Sequence, residues 1–252
     1  MIRTIWAYIA LFFGTIFLAS LVIVCALLGV RGRVYDWAGR AWGRMMLRVS
    51  GTPVTVEGLE NINPDRPQIF AANHVSWFDV WALAAVIPKR YRFVAKKELG
   101  KIPIFGPAWK AAGHISIDRS DRASAIESLN EAGRLLKQDN SSVVIFPEGT
   151  RSPTGELLPF KKGAFMLALH TGVEIVPVAV LGTRRILPKG GWRIRPGPII
   201  VRFGQPIATE EYGEERRGEL IAEVRSRIEA MLEAPAPLLG SARGRRQNTP
   251  SN

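Results

Sequence analysis

Asn73-His-Val-Ser-Trp-Phe-Asp79 places an imidazole and a carboxylate five residues apart, directly after the short apolar run Gln68–Ala72. On one continuous helix such positions lie about 140° apart around the axis and do not share a face. His74 and Asp79 can meet only if the chain turns between them, with His74 in a loop and Asp79 in the first turn of a helix. A strand–loop–helix crossing meets that condition. It also puts the pair at the carboxyl end of a strand, where open α/β sheets bind ligands. A carboxylate bonded to one ring nitrogen fixes the tautomer and makes the other nitrogen a better base. The competing reading is a structural histidine satisfied within the core. Ser76 is a rival nucleophile in the same stretch, but no glycine pattern of a nucleophile elbow surrounds it.

Phe146-Pro-Glu-Gly-Thr-Arg-Ser152 is the second informative stretch, an apolar strand running into a turn that bears Glu148, Thr150 and Arg151. Gly149 lets the backbone approach a ligand closely, and an arginine there can grip phosphate with its planar fork. A plain surface turn with an incidental ion pair would read the same way. Gly113-His-Ile-Ser-Ile-Asp-Arg119 ends a strand in Asp118 and Arg119, and Lys96 and Lys97 follow the run Tyr91–Ala95. Val176-Pro-Val-Ala-Val180 has a proline inside an apolar strand, which suggests an edge or a bulge. His114 and His170 read as structural. No metal-ligand cluster is visible, so no metal is expected. The single cysteine, Cys25, lies in an apolar stretch, far from the other chemistry and without a disulfide partner.

These residues need a scaffold that turns strand ends into a site. Val54–Glu57, Gln68–Ala72, Tyr91–Ala95, Ile115–Ile117, Ser142–Phe146 and Ile175–Leu181 read as strands. Val75–Ile87, Asp121–Gln138, Gly163–His170 and Gly218–Leu232 read as helices, the second with apolar residues at three- and four-residue spacings. Arg193–Arg195 and Ile199–Phe203 flank Pro196-Gly197-Pro198 as a possible ribbon. Strands alternating with helices predict an α/β fold, a largely parallel sheet flanked by helices on both faces.

Ahead of this domain the chain changes character. Thr4–Val30 carries no charged residue and is long enough to cross a bilayer, or to lie in one as a bent pair of helices. A cleaved signal peptide competes, but the run is too long for one and no A-x-A site follows. In Arg31–Ser50, Arg33, Arg40, Arg44 and Arg48 fall within about 80° of one another on a helical wheel. That pattern predicts a helix in the membrane interface with arginines toward anionic headgroups, or else a basic helix on a globular core. Arg3 precedes the apolar run and five arginines follow it, which would keep the rest of the chain cytoplasmic. The expected organisation is a membrane anchor and interfacial helix over 1–50, a catalytic domain over 51–234, and a disordered basic tail over 235–252. The 252 residues carry a net charge of +12, which implies an anionic partner: nucleic acid, membrane surface or phosphorylated substrate. Arginines following an apolar anchor, and aromatics without a base-stacking pattern, argue against nucleic acid.

In order, His74-x4-Asp79, Gly113…Arg119, Phe146–Ser152 and Val176–Val180 resemble the four blocks of the glycerolipid acyltransferases, the family typified by bacterial 1-acyl-sn-glycerol-3-phosphate acyltransferase. The resemblance covers about Val54–Ile207. The first and third blocks match fully, whereas the second has Ser116 where an aromatic residue is common. It implies acyl transfer from acyl-CoA or acyl carrier protein to the free hydroxyl of lysophosphatidic acid, giving phosphatidic acid, with no other cofactor. His74 would be the general base and Asp79 its orienting carboxylate. Glu148, Gly149, Thr150 and Arg151 would bind the acceptor, with Arg119 and one of Lys96 and Lys97 in support. A sibling acting on another lysolipid, such as a lyso-ornithine lipid, would carry the same blocks. A non-catalytic lipid-binding protein would not need the base.

Overall fold

The structure, a computed structural model, describes residues 1–30, 32–118, 128, 131–134, 136 and 139–235. The basic tail beyond Pro235, Arg119 and most of the helix expected over 121–138 lie outside these residues.

Seven strands form one sheet: β1 (Val54–Glu57), β2 (Ile69–Ala72), β3 (Tyr91–Lys96), β4 (Ile115–Ile117), β5 (Ser142–Ile145), β6 (Ile175–Leu181) and β7 (Ile199–Phe203). Their spatial order is β1-β7-β6-β2-β5-β3-β4, and every pair is parallel except β6 with β7. The central strands β2 and β6 are apolar at every position because both faces are covered there, as in a parallel sheet. In β2, Phe70 and Ala72 pack into the core on one face, and Ile69 and Ala71 into the core on the other. The first core is closed by helices α1 (Ile2–Leu27), α2 (Arg33–Ser50) and α3 (Trp77–Val86). The second is closed by Lys162–Thr171 (here α5) and Arg217–Glu233 (α7). Two shorter helices complete the described set, α4 (Phe105–Ala111) and the single turn α6 (Thr183–Ile186).

Two sequence expectations are corrected. Arg193–Arg195 forms no strand and the ribbon is absent: the Ile194 N–H donates to Thr4 Oγ1 and the Arg195 N–H to the Ile186 carbonyl. The flanking Pro196 and Pro198 have no N–H to give to a ladder. β6, with its internal proline, is an interior strand and not an edge, and the bulge alternative holds: from Val178–Phe203 to Ile175–Ile207 the facing chain carries one extra residue beside Pro177. Pro177 is tolerated because β7 ends at Phe203, so Val176 and Pro177 face the irregular stretch Gly204–Pro206, whose Gly204 N–H donates to the Pro177 carbonyl.

α2 is built into the domain. Met46 and Leu47 join the first core, and buried Asp36 pairs with Arg92 at 2.7 Å and Arg90 at 3.4 Å. Gly43 permits the approach to α3, since a Cβ there would stand 2.5 Å from the Trp81 carbonyl oxygen. Of the arginine stripe, Arg40 turns inward to the Ile87 and Lys89 carbonyls at 3.2 and 2.7 Å, capping the end of α3. Arg33, Arg44 and Arg48 stay exposed.

α1 docks along its length. Thr4 Oγ1 donates to the Ile194 carbonyl, Tyr8 Oη to the Trp192 carbonyl, and Trp42 Nε1 to Thr15 Oγ1. Ala19 and Val22 pack with Tyr35, Ala38, Ala108 and Ala112. The other side of α1 remains bare: Ile2, Phe12, Phe13, Phe17 and Leu27 are 61–82% exposed. A helix of this length and composition, with that face uncovered, points to membrane association.

Candidate active site

The parallel strands bring their carboxyl ends to one edge of the sheet. There β2 delivers His74, β5 the Phe146–Ser152 turn, β3 Lys96, and β6 the short helix beginning at Thr183. Chain order reverses across β2, whose neighbours are β5 and β6, so the loops part and leave a crevice.

The geometry between His74 and Asp79 follows from how α3 starts. Ser76 is the N-cap residue: its Oγ accepts from the Phe78 N–H at 3.1 Å, while Asp79 Oδ2 reaches back to the Ser76 N–H at 2.8 Å. This is a capping box with aspartate in the acidic position. The same Oδ2 accepts from the Val75 N–H at 2.7 Å and from His74 Nδ1 at 2.9 Å. Oδ1 accepts from Thr183 Oγ1 at 2.5 Å. Asp79 is fully buried with three other donors turned on it, and a carboxylate so held only accepts, so the ring nitrogen facing it donates. His74 therefore carries its proton on Nδ1, and Nε2 is left as the acceptor.

His74 is held on every side. Its ring stacks on Phe146, with centroids 3.9 Å apart and planes 18° apart. Its N–H donates to Glu148 Oε1 at 2.6 Å, and its carbonyl accepts from the Ser152 N–H at 2.7 Å. Asn73, just before it, bonds both the N–H and the carbonyl of Val180, lashing the end of β2 to β6. Ser76 is no nucleophile, because it is fully buried and its hydroxyl donates to the Leu187 carbonyl at 2.7 Å.

Glu148 lies buried against the His74 backbone. It is 2% exposed, and its oxygens accept from the backbone of His74 and of Leu158, the latter at 2.9 Å. Burial pushes its carboxyl up to about 7, against those two N–H groups, which pull it down. In this geometry both of its oxygens brace backbone, one of them fixing the His74 loop. Gly149 closes the turn at φ +73°, its N–H returning to the Phe146 carbonyl at 2.9 Å.

A cavity of about 240 Å³ opens in front of this assembly, lined by His74, Lys96, Gly149, Thr150 and Arg151 and walled by Trp42, Phe93, Phe105, Trp109 and Phe146. The Arg151 guanidinium lies over the Trp77 ring at 5.2 Å from its centroid, a cation–π contact that parks the charge at the cavity mouth. Of the two lysines, Lys96 lines this cavity, whereas Lys97 pairs with Asp118 on a separate surface. A second, larger groove of about 840 Å³ runs between the domain and α1, and shares Trp42, Trp77, Leu99, Phe105 and Arg151 with the first. An apolar channel beside a base and a cation can hold an amphiphile with an anionic head.

His114 and His170 stand apart from His74. His114 Nδ1 accepts from the Phe93 N–H at 3.0 Å, and burial, with Arg92 nearby, lowers its pKa to about 3, so it stays neutral. His170 pairs with Glu214 at the surface. Cys25 packs near the cluster of Tyr35 and Ala108, and no metal-binding group of three ligands occurs among the described residues.

Two residues on which this site rests went unread in the sequence. Asn73 stands beside His74 but carries no sequence signal of its bonds to Val180, 107 residues away. Thr183 gave no signal, because its partner is 104 residues away. The Ser76-x-x-Asp79 spacing was a readable signal that would have placed the helix start and Asp79 within it.

The acyltransferase family model matches residues 53–181. A 1-acyl-sn-glycerol-3-phosphate acyltransferase from Cocos nucifera is 39% identical over 214 residues, 84% of this chain and 68% of that protein. One from Saccharomyces cerevisiae is 38% identical over 209 residues, 82% of this chain and 68% of that protein. The crystal structure of the 1-acyl-sn-glycerophosphate (LPA) acyltransferase from Thermotoga maritima superposes with a TM-score of 0.78 at 29% identity, covering 92% of this chain and 95% of that one. With a family model over half its length and relatives this similar, the chain belongs to the acyltransferase family and is an enzyme of the 1-acylglycerol-3-phosphate O-acyltransferase type.

Proposed function

We propose that this chain transfers a fatty acyl group from a thioester, acyl-CoA or acyl carrier protein, to the free hydroxyl of lysophosphatidic acid. The observation that carries the reading is the contact of His74 Nδ1 with the buried Asp79 carboxylate at 2.9 Å. With Nδ1–H committed to Asp79, Nε2 faces the cavity as a base. Nε2 takes the hydroxyl proton as the oxygen attacks the thioester carbonyl. The tetrahedral intermediate collapses, the C–S bond breaks, and the imidazolium returns its proton to the leaving thiolate. Atoms balance without an acyl-enzyme. Arg151, with Lys96, is the cation set for the acceptor phosphate, and a guanidinium suits it because its fork matches phosphate oxygens. The relatives' names support this acceptor, and the near full-length likeness to a bacterial enzyme supports a bacterial type of chain.

In this reading the enzyme works at a membrane. α1 would lie within one leaflet, since its first and last turns both dock on the same domain and a perpendicular span would pull that domain into the bilayer. The anchor is then α1 itself, with α2 belonging to the catalytic body. The arginine excess after α1 favours the cytoplasmic face. The test is an assay of the purified chain with lysophosphatidic acid, other lysophospholipids and a lyso-ornithine lipid, each offered with acyl-CoA and with acyl carrier protein. Lysophosphatidic acid should be preferred, and His74→Ala should cost roughly 10²–10⁴-fold. Equal turnover in His74→Ala would sink the base assignment.

A further inference from the structure

Between Glu174 and Glu210 the chain has no acidic residue, while Arg184, Arg185, Lys189, Arg193, Arg195 and Arg202 fall within it. Its exposed part is the loop from Leu187 to Pro198, and three features of this loop converge. First, Trp192 is 60% exposed at its tip, and Arg193 and Arg195 beside it are exposed with no acidic partner among the described ion pairs. Second, the loop is fastened to the start of α1 through Tyr8 Oη on the Trp192 carbonyl at 2.8 Å and Thr4 Oγ1 on Ile194. That is where Ile2, Ile5 and Trp6 leave α1 bare. Third, it reaches the turn that carries Arg151: Lys189 Nζ donates to the Arg151 carbonyl at 2.8 Å.

An indole with arginines at its flanks, continuous with an exposed apolar helix face, suits the boundary between headgroups and acyl chains. There the ring has an apolar bed and the guanidinium groups meet phosphate. An acidic protein docked on the same cations would cover the charges but leave the indole and the α1 face beside it in water. We propose that Leu187–Pro198 is a second membrane-contact element, distinct from α1, which docks on anionic lipid. Trp192 enters the boundary and Arg193 and Arg195 take lipid phosphates. Through Lys189 the docked loop holds the turn that carries Arg151, so acceptor phosphate is gripped at the level where the lipid presents it.

The test uses the full chain reconstituted in vesicles of brominated phosphatidylcholine with about one-third phosphatidylglycerol, compared with brominated phosphatidylcholine alone. Bromine quenches tryptophans that enter the bilayer. Wild type should lose more emission than W192F, and the double variant R193Q/R195Q should lower that difference in the anionic vesicles. Thermal melts of both variants should match wild type, since none of the three substituted side chains is buried. A second arm rests on the acyl-transfer reading. R193Q/R195Q should slow acylation of bilayer-held lysophosphatidic acid about 5- to 25-fold, at about fivefold per charge lost near an anionic surface. With a short-chain, water-soluble acceptor it should stay within about twofold of wild type. Equal quenching of wild type and W192F would overturn the proposal, as would a defect seen only with acyl carrier protein as donor in detergent, which would make this surface a protein dock. The quenching arm needs no turnover, so failure of the catalytic reading would be visible separately.

Discussion

Asp79→Asn separates two roles that a carboxylate can play beside a histidine, and here the surroundings decide which one is lost. An asparagine side chain has one acceptor oxygen and one donor nitrogen. The Oδ2 position faces the N–H groups of Val75 and Ser76 at 2.7 and 2.8 Å, so an amide nitrogen there would meet two donors head-on. The amide must place its oxygen at that position and its nitrogen toward Thr183, whose hydroxyl can rotate to accept. His74 Nδ1–H would then still find an acceptor, and Nε2 would remain the base. What disappears is the negative charge that strengthens the bond and steadies the imidazolium as it forms. A charge-assisted bond is worth about 1.5–3 kcal/mol and a neutral one about 0.5–1.5, so the loss is about 1–2 kcal/mol. That corresponds to about 5- to 30-fold in kcat. The assay is thiol release from acyl-CoA at saturating acceptor, alongside imidazole 15N shifts that report which ring nitrogen is protonated. A loss near 10⁴-fold with an unchanged melt would refute this, because it would mean that the wrong tautomer had been captured. Asp79→Ala is a poorer probe. It orphans two buried N–H groups and a buried hydroxyl, at about 1–3 kcal/mol each, a large part of a typical domain's stability.

Thr183→Val should reduce kcat about 5- to 20-fold with little change in either KM, since it removes one neutral donor from Asp79 Oδ1. Thr183→Ser should restore the rate, and a rescue that failed would make the hydroxyl irrelevant. Arg151→Ala should raise the acceptor KM about 10- to 150-fold, a charge-assisted contact of about 1.5–3 kcal/mol, while Trp77→Ala, which only frees the guanidinium, should raise it less. A changed donor KM with an unchanged acceptor KM would move Arg151 to the thioester side. Glu148 should give stability and activity opposite pH trends. Its carboxyl holds a proton up to about 7 when folded and loses it near the ordinary value of 4.5 when unfolded, so the folded state binds the extra proton between those values. Stability therefore falls as pH rises from about 4.5 to 7 and levels off above that. Activity rises over the same range as the ionised carboxylate becomes able to accept from both His74 and Leu158. In Glu148→Gln the melting temperature should lose its fall across that window, and kcat at pH 8 should drop about tenfold for want of one of the two backbone bonds. A melt that still fell with pH in the variant would assign the titration elsewhere.

What could be read from the chain and what could not divide along sequence distance. His74 and Asp79 were legible because the turn that joins them is local: a strand end, a serine cap and an acidic residue at N3, all within eight residues. The sheet was legible because its strands are short apolar runs buried on both faces. α2 shows where legibility stops. A helical wheel reports that four arginines share a side, but not that Arg40 of that side will cap α3 while Met46 and Leu47 enter the core. Periodicity describes a face and leaves its partner unnamed. Glu148 fails for a related reason, since a carboxylate in a glycine turn can point either way, and its direction depends on Leu158 passing behind it. The fourth block, Val176–Val180, gains a purpose only in three dimensions. Its side chains are core, yet β6 runs beside β2 and is lashed to it by Asn73, so the residue two places past its end arrives under Asp79. The strand's contribution to chemistry is thus positional. It delivers Thr183, and with it the loop that ties Arg151 to α1, to the one place where the Asp79 carboxylate still had an oxygen to fill.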